Sequence, residues 1–190
     1  MKTVGATFGK ASPYESKALI VDKKVGIYDF LMAEKTLTQI SNLTIESDIS
    51  KKDARDIANG EKKRSVQNVI AVLEVLGQVN GNLERRNHPI EPGTELKKAT
   101  SKSIEKFLGF EKGGVKVGHL LRRTDVEVLL NQKMFNTHIS VLGMTGKGKT
   151  NVSQILLAGL RVWKDARVVI IDPHGEYSGN NIIVDNIKHN

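Results

Sequence analysis

Hydrophobic positions change their rhythm along the chain. In the first half they come as short runs at residues 3–8, 17–21, 27–33 and 36–45, broken by Ser12-Pro13, residues 22–26 and Glu34-Lys35. Short runs separated by turn-forming residues predict the strands of a small antiparallel barrel or sandwich. Within residues 36–45 the apolar set Leu37, Ile40, Leu43 and Ile45 changes face once, which predicts a bulge. Residues 66–79 fit two periods, with Val69, Ala71, Leu73, Val75 and Val79 alternating and Val66, Ile70, Leu73 and Leu76 at helical spacing. Their β-branched content and the Asn80-Gly81 turn signal favour a strand.

Two short helices interrupt this β pattern. Ser50-Lys51-Lys52-Asp53, followed by Ala54, Ile57, Ala58 and Asn59-Gly60, predicts a capped helix with a glycine stop. Its Lys51, Lys52 and Arg55, with Lys62-Lys63-Arg64 beyond, read as a solvated face ahead of a nucleic-acid patch. His88-Pro89 and Pro92-Gly93 mark a connector. After it, residues 101–108 predict a helix with Ile104, Phe107 and Leu108 apolar, stopped at Gly109. Residues 115–121 and 126–130 predict two more strands joined through Arg122-Arg123-Thr124-Asp125.

The rhythm then becomes that of a βαβ unit. Ile139, Val141 and Leu142 form a short apolar strand, and Val152, Ile155, Leu156, Leu160 and Trp163 fall on one face of a helix. Val168-Val169-Ile170-Ile171-Asp172 is a continuous apolar run, suited to a strand buried on both faces of a parallel sheet. Between the first strand and the helix, residues 143–150 fit G-x-x-x-x-G-K-[ST], the Walker A phosphate loop, with Gly143, Gly148, Lys149 and Thr150 at the fixed positions. Glycines at this spacing let backbone N–H groups turn inward and cradle phosphate oxygens at a helix N-terminus. Lys149 brings a charge to the outer phosphates and the Thr150 hydroxyl a ligand to Mg²⁺. Four fixed positions arise by chance about once per hundred chains of this length. The strand, loop, helix, strand context is what turns the motif into a nucleotide-site expectation.

Composition adds limits. The chain has 190 residues with 39% hydrophobic, enough for a real core. Its 29 Lys+Arg against 21 Asp+Glu give a net charge of +8, so a polyanionic partner is plausible on charge alone. Cysteine is absent, which excludes disulfides and thiolate zinc sites and agrees with a cytoplasmic location. His88, His119, His138, His174 and His189 include no pair at helical metal-ligand spacing. No apolar leader and no run long enough to span a bilayer are visible, so the expectation is a soluble protein without membrane contact.

Several stretches together resemble the HerA-type ATPases. These are Gly118-His119-Leu120, Asp125-Val126-Glu127-Val128, residues 138–143 and, most specifically, Ile171-Asp172-Pro173-His174-Gly175-Glu176-Tyr177. The β-rich start and Pro92-Gly93-Thr94-Glu95 resemble the family's N-terminal barrel and connector more loosely. The resemblance implies a β-barrel (HAS-like) domain with a short helical insertion over 1–92, a linker and short helix over 93–113, and over 114–190 the first part of an α/β, RecA-like P-loop core of the additional-strand class. It also implies a hexameric, ATP-driven DNA translocase or helicase, mainly archaeal, that works with the nuclease NurA in DNA end resection and recombinational repair.

Carried over by position, Gly143, Thr145, Gly146, Lys147, Gly148, Lys149, Thr150 and Asn151 fall on the nucleotide loop, with Thr150 toward Mg²⁺. Asp172 and Glu176 fall near the nucleotide. Lys147 stands where a small residue is commoner, and in the simplest picture it points away from the cradle. Residues 168–172 read either as the Walker B strand or as its neighbour, with Asp172 orienting the site. Glu176 reads either as the group that orients attacking water or as a support behind the site, and His174 as a cap of the turn. The family's catalytic glutamate, sensors, trans-acting arginine and DNA loops lie downstream of this segment, so the chain is expected to be a fragment of the motor. A second functional reading is a non-catalytic barrel module that docks neighbouring subunits or a partner nuclease.

Overall fold

The computed structural model describes residues 2–47, 49, 51–60, 67–80, 82–84, 87–172, 175 and 177. The run Lys62-Lys63-Arg64 and the residues Pro173, His174 and Glu176 lie outside them. The chain divides into two compact units. The first runs to Leu108 and takes in Leu121–Arg123; the second holds Gly109–Leu120 and the residues from Thr124 on.

The first unit is a closed barrel. Its strands are β1 (Thr3–Phe8), β2 (Glu15–Ile20), β3 (Phe30–Ala33), β4 (Thr36–Ser47), β5 (Gln67–Asn80), β6 (Asn82–Glu84) and β7 (Glu95–Lys98). They run in the order β2-β1-β7-β3-β4-β5-β6, and a further β2–β5 pairing closes six of them into a ring, with β6 added beside β5. Every pairing is antiparallel. Closure satisfies the backbone groups that a sheet edge would leave open. Residues 93–113, expected as a linker with a short helix, contain β7, which pairs with both β1 and β3.

Alternation sets the interior. Along β2, Ser16, Ala18 and Ile20 point inward while Glu15, Lys17 and Leu19 face out. The core combines the small Ala18, Ala33 and Ala71 with Leu31, Ile40, Leu73, Ile90 and Leu96, mixed sizes that suit a narrow barrel. Thr38, fully buried, donates its hydroxyl to the Leu31 carbonyl at 3.1 Å. Thr7 donates to the Glu91 carbonyl at 2.7 Å and accepts from the Thr94 amide at 3.0 Å, which ties the segment before β7 to β1. Gly5 is demanded by contact: a Cβ there would sit 2.2 Å from the Leu19 carbonyl oxygen.

The expected face change in β4 is resolved by two register shifts. Leu37 faces Gly77 and Thr38 faces Val75, so Leu76 is an extra residue in β5. Ile40 faces Leu73 and Asn42 faces Val72, so Ser41 is an extra residue in β4, and the original register returns. Gly77, at φ 154°, also admits the Phe107 ring, which would lie 3.2 Å from a Cβ. Phe107 and the fully buried Ile104 belong to α2 (Ser101–Leu108), whose first turn is capped by the Thr100 hydroxyl accepting from the Ser103 amide at 3.1 Å. The earlier helix α1 spans Lys51–Ala58 and stops at Asn59-Gly60.

The second unit holds a two-stranded sheet of β8 (Val115–Leu120) and β9 (Arg123–Leu130), whose first residue counts with the barrel. It also holds α3 (Gln132–Phe135), α4 (Lys149–Gly159) and a 3₁₀ turn at Leu160–Val162. Gly159 lies so close to β8 that a Cβ would overlap Val115 Cγ1. Trp163 donates its indole N–H to the Gly113 carbonyl at 3.0 Å and meets Phe135 edge-on at 5.1 Å between ring centres. The expected βαβ unit forms only its helix. Residues 139–142 and 168–172 carry no strand pairing, and Leu142 and Ile171 are 89% and 88% exposed. A parallel strand takes its hydrogen bonds from strands beside it, and no described segment lies alongside either run as a strand. Among the described residues no helix is long and apolar enough to cross a membrane.

Candidate nucleotide-binding site

The residues that fit the phosphate-loop pattern form a turn that leads directly into α4. Gly146 at φ 78° and Gly148 at φ 81° are both left-handed, a conformation that costs glycine nothing and strains other residues. The Lys147 amide donates to the Met144 carbonyl at 3.3 Å, which closes the turn. Gly148 is the residue at the helix entry, and the ladder opens with the Val152 amide donating to its carbonyl at 3.0 Å. The amides ahead of Val152 take no acceptor in that ladder, and the positive end of the helix dipole lies at the loop.

Lys149 is the first residue of α4, and its Nζ donates to the Met144 carbonyl at 3.0 Å. The ammonium thus arches over its own loop, with donors to spare for an anion. Lys149 and Thr150 are half-buried, whereas Thr145, Gly146, Lys147, Gly148 and Asn151 are exposed. Gly143 is roomy, since an added Cβ would find Lys149 Cγ at an ordinary 3.6 Å. Ser153 donates its hydroxyl to the Lys149 carbonyl at 3.2 Å and steadies the first turn. Left-handed glycines, a helix entry and a cation are thus grouped in one short segment, the chemistry by which a loop can receive a phosphate.

Asp172 is half-buried and organises a turn of its own. Its carboxylate accepts from the Tyr177 amide at 2.9 Å, and its carbonyl accepts from the Gly175 amide at 3.4 Å. Glu176 lies outside the described residues. The described residues contain no group of three or more His, Cys, Asp or Glu placed to hold a metal.

The sheet of the second unit carries a charged cluster. Glu127 accepts from Lys116 at 2.6 Å and lies 4.0 Å from His119. The hydrogen bond and charge of Lys116 hold the Glu127 carboxyl below the usual carboxylate range. In the sequence Arg122-Arg123 signals only a turn, whereas Arg122 is held by Asp29, 93 residues earlier, through Nε at 3.0 Å. Nothing local to either residue signals that pairing.

Comparison with known proteins places the chain among relatives. Residues 115–189 match the family described as Helicase HerA, central domain. A probable helicase of Methanocaldococcus jannaschii is 32% identical over 187 residues, covering 92% of this chain and 36% of that protein. The DNA double-strand break repair helicase HerA of Pyrococcus furiosus is 32% identical over 120 residues, covering 62% of this chain and 21% of that protein. The protein of the same name from Sulfurisphaera tokodaii is 28% identical over 188 residues, covering 94% of this chain and 37% of that protein. The chain therefore spans little more than a third of the length of the curated relatives it matches most fully. A match to the HerA central domain, together with relatives whose similarity covers 92% and 94% of the chain, makes it a HerA-like protein.

Proposed function

We propose that this chain is the nucleotide-binding and barrel portion of an ATP-driven DNA translocase or helicase that serves DNA end resection and recombinational repair. The observation that carries the reading is the pair of left-handed glycines, Gly146 and Gly148, placed immediately before Lys149 at the start of α4. In this reading Gly143, Thr145, Gly146, Lys147, Gly148 and Asn151 surround the phosphates with backbone groups. Lys149 would neutralise their outer charge and the Thr150 hydroxyl would hold Mg²⁺. Mg²⁺ would supply neutralisation of the phosphate charge. Asp172 would orient the site from its turn. Glu176 would hold water or support a group that does.

The relatives' names, helicases and DNA double-strand break repair helicases, support DNA as the partner of the complete protein. The exposed apolar runs around Leu142 and Ile171 support a core whose remaining strands are supplied by further chain. We assign the barrel up to Leu108 to assembly, as a collar of a hexameric ring that also receives the nuclease NurA. The exposed Phe8, Tyr14 and Tyr28 favour that role, because large aromatics left on a barrel surface are suited to a protein contact. Isothermal titration of the chain with Mg·ADP tests the core of the proposal: saturable binding supports it, and none overturns it. Sedimentation of the complete protein with ATP tests the ring, and a monomer at micromolar concentration counts against it.

A further inference from the structure

The barrel unit carries a second concentration of positive charge, independent of the phosphate loop. A cleft of about 340 Å³ is lined by Lys24, Asp29, Phe30, Lys98, Ala99, Arg122 and Arg123. Four cations meet one carboxylate there, and that carboxylate is fully engaged. Asp29, with 10% of its side chain exposed, accepts from the Gly26 amide at 2.9 Å, Arg122 Nε at 3.0 Å and Arg122 Nη2 at 3.4 Å. Arg123 donates to the Ala99 carbonyl at 2.6 Å and to the Ser101 hydroxyl at 3.0 Å. Both guanidinium groups are therefore fixed in place before any ligand arrives. Lys24 and Lys98 are exposed and make no ion pair with a described residue.

The backbone is bent to keep this arrangement. Arg122 has φ 62°, the left-handed region that glycine occupies without steric cost. Gly26 leaves the space for its guanidinium: a Cβ there would lie 2.8 Å from Arg122 Cζ. Arg122 nevertheless keeps 46% of its side chain exposed, so the fork is clamped on one side and open on the other. A second cleft, of about 350 Å³, is lined by Lys35, Lys102 and Lys106 with Glu34, Thr100 and Ser103 among its other residues. Ala99 lines the first cleft and Thr100 the second, so the two adjoin along the junction of β7 and α2.

We infer that these adjoining clefts are phosphate-binding subsites, the first taking a phosphate on the Arg122 fork with Lys24 and Lys98, the second continuing the contact onto Lys35, Lys102 and Lys106. Fixed guanidinium forks match the planar oxygen pairs of phosphates, and lysines add charge without geometric demand. Two cationic clefts in series suit the successive phosphates of a single nucleic-acid strand better than one isolated anion.

The test uses the whole 190-residue chain carrying Lys149→Ala, so that the phosphate loop does not contribute. Binding of a fluorescein-labelled oligothymidylate is followed by anisotropy over a salt series, with inorganic tripolyphosphate as competitor. Lys24→Gln with Lys98→Gln is expected to weaken binding at least about tenfold. It should also reduce the slope of log affinity against log salt by about 1.4, two contacts at roughly 0.7 each. Arg122→Lys keeps the charge and loses the fork, and is expected to weaken binding with a nearly unchanged slope. Unaltered affinity in the Lys24/Lys98 pair overturns the inference. So does an equal loss on changing Lys133 and Lys164, two exposed lysines outside both clefts. Binding of tripolyphosphate that depends on Lys24 and Lys98, without binding of the oligonucleotide, keeps the phosphate subsites and assigns them to a free polyphosphate. Because Lys149 is already absent, failure here leaves the nucleotide reading of the loop untouched.

Discussion

Lys149 Nζ donates to the carbonyl of Met144, five residues earlier, at 3.0 Å. This bond spans the phosphate loop and places the one ammonium group that opens α4 above the left-handed turn of Gly146 and Gly148. Lys149→Ala removes both the loop bond and the charge offered to a phosphate. It should weaken Mg·ADP binding by about 1.5–3 kcal/mol, the range for a charge-assisted hydrogen bond. That is roughly ten- to 150-fold in affinity by calorimetry. The barrel should stay folded, since Lys149 belongs to the other unit. Unchanged affinity would remove the loop from the site.

Turnover by the 190-residue chain alone should be slow or absent. Phosphoryl transfer to water also needs a group that positions the water and, where one is used, an arginine worth about 10³–10⁵ in rate. The last arginine in the chain is Arg167. Steady-state phosphate release by this chain, compared with the complete protein, checks it. A comparable rate that disappears in Glu176→Gln would show the opposite and make Glu176 the base.

Gly77→Ala should destabilise the barrel by about 1–3 kcal/mol, through an unfavourable backbone angle and overpacking against Phe107. The new Cβ would lie 2.9 Å from the Glu84 carbonyl oxygen and 3.2 Å from the Phe107 ring. A lowered urea midpoint with an unchanged slope is the expected result. Stability equal to the parent would mean that β5 and α2 separate at no cost.

The Lys116–Glu127 pair predicts a pH effect of definite sign. The folded Glu127 carboxyl titrates below its unfolded value because Lys116 hydrogen-bonds it and adds positive charge. Its contribution to stability is therefore present above the unfolded pKa and lost as pH falls through the folded one. Both side chains are about half exposed, so the contribution is small and shrinks with salt. Carboxyl-carbon NMR should show Glu127 titrating lower than free glutamate and moving upward in Lys116→Gln. No movement would exclude Lys116 as the cause.

How much was legible in the sequence depended on the range of the interaction. The two-residue period of β2 and the helix over 101–108 follow from side chains a few positions apart, and so do the left-handed glycines of the loop. The face change at Leu37, Ile40 and Leu43 announced a bulge, because a period of two admits no other way to turn a strand over. Only the pairing with β5 revealed that two shifts occur, at Leu76 and Ser41, and that the second cancels the first. Tertiary structure alone placed β7 between β1 and β3, because ring closure depends on hydrogen bonds between segments up to about ninety residues apart rather than on local preference. The same holds for Asp29 and Arg122, whose meeting depends on how the barrel folds and not on their neighbours. The apolar runs at 139–142 and 168–172 mark the reverse case. Their composition is that of buried parallel strands, yet a strand exists only where another strand hydrogen-bonds it, and that partner is not encoded in the run itself.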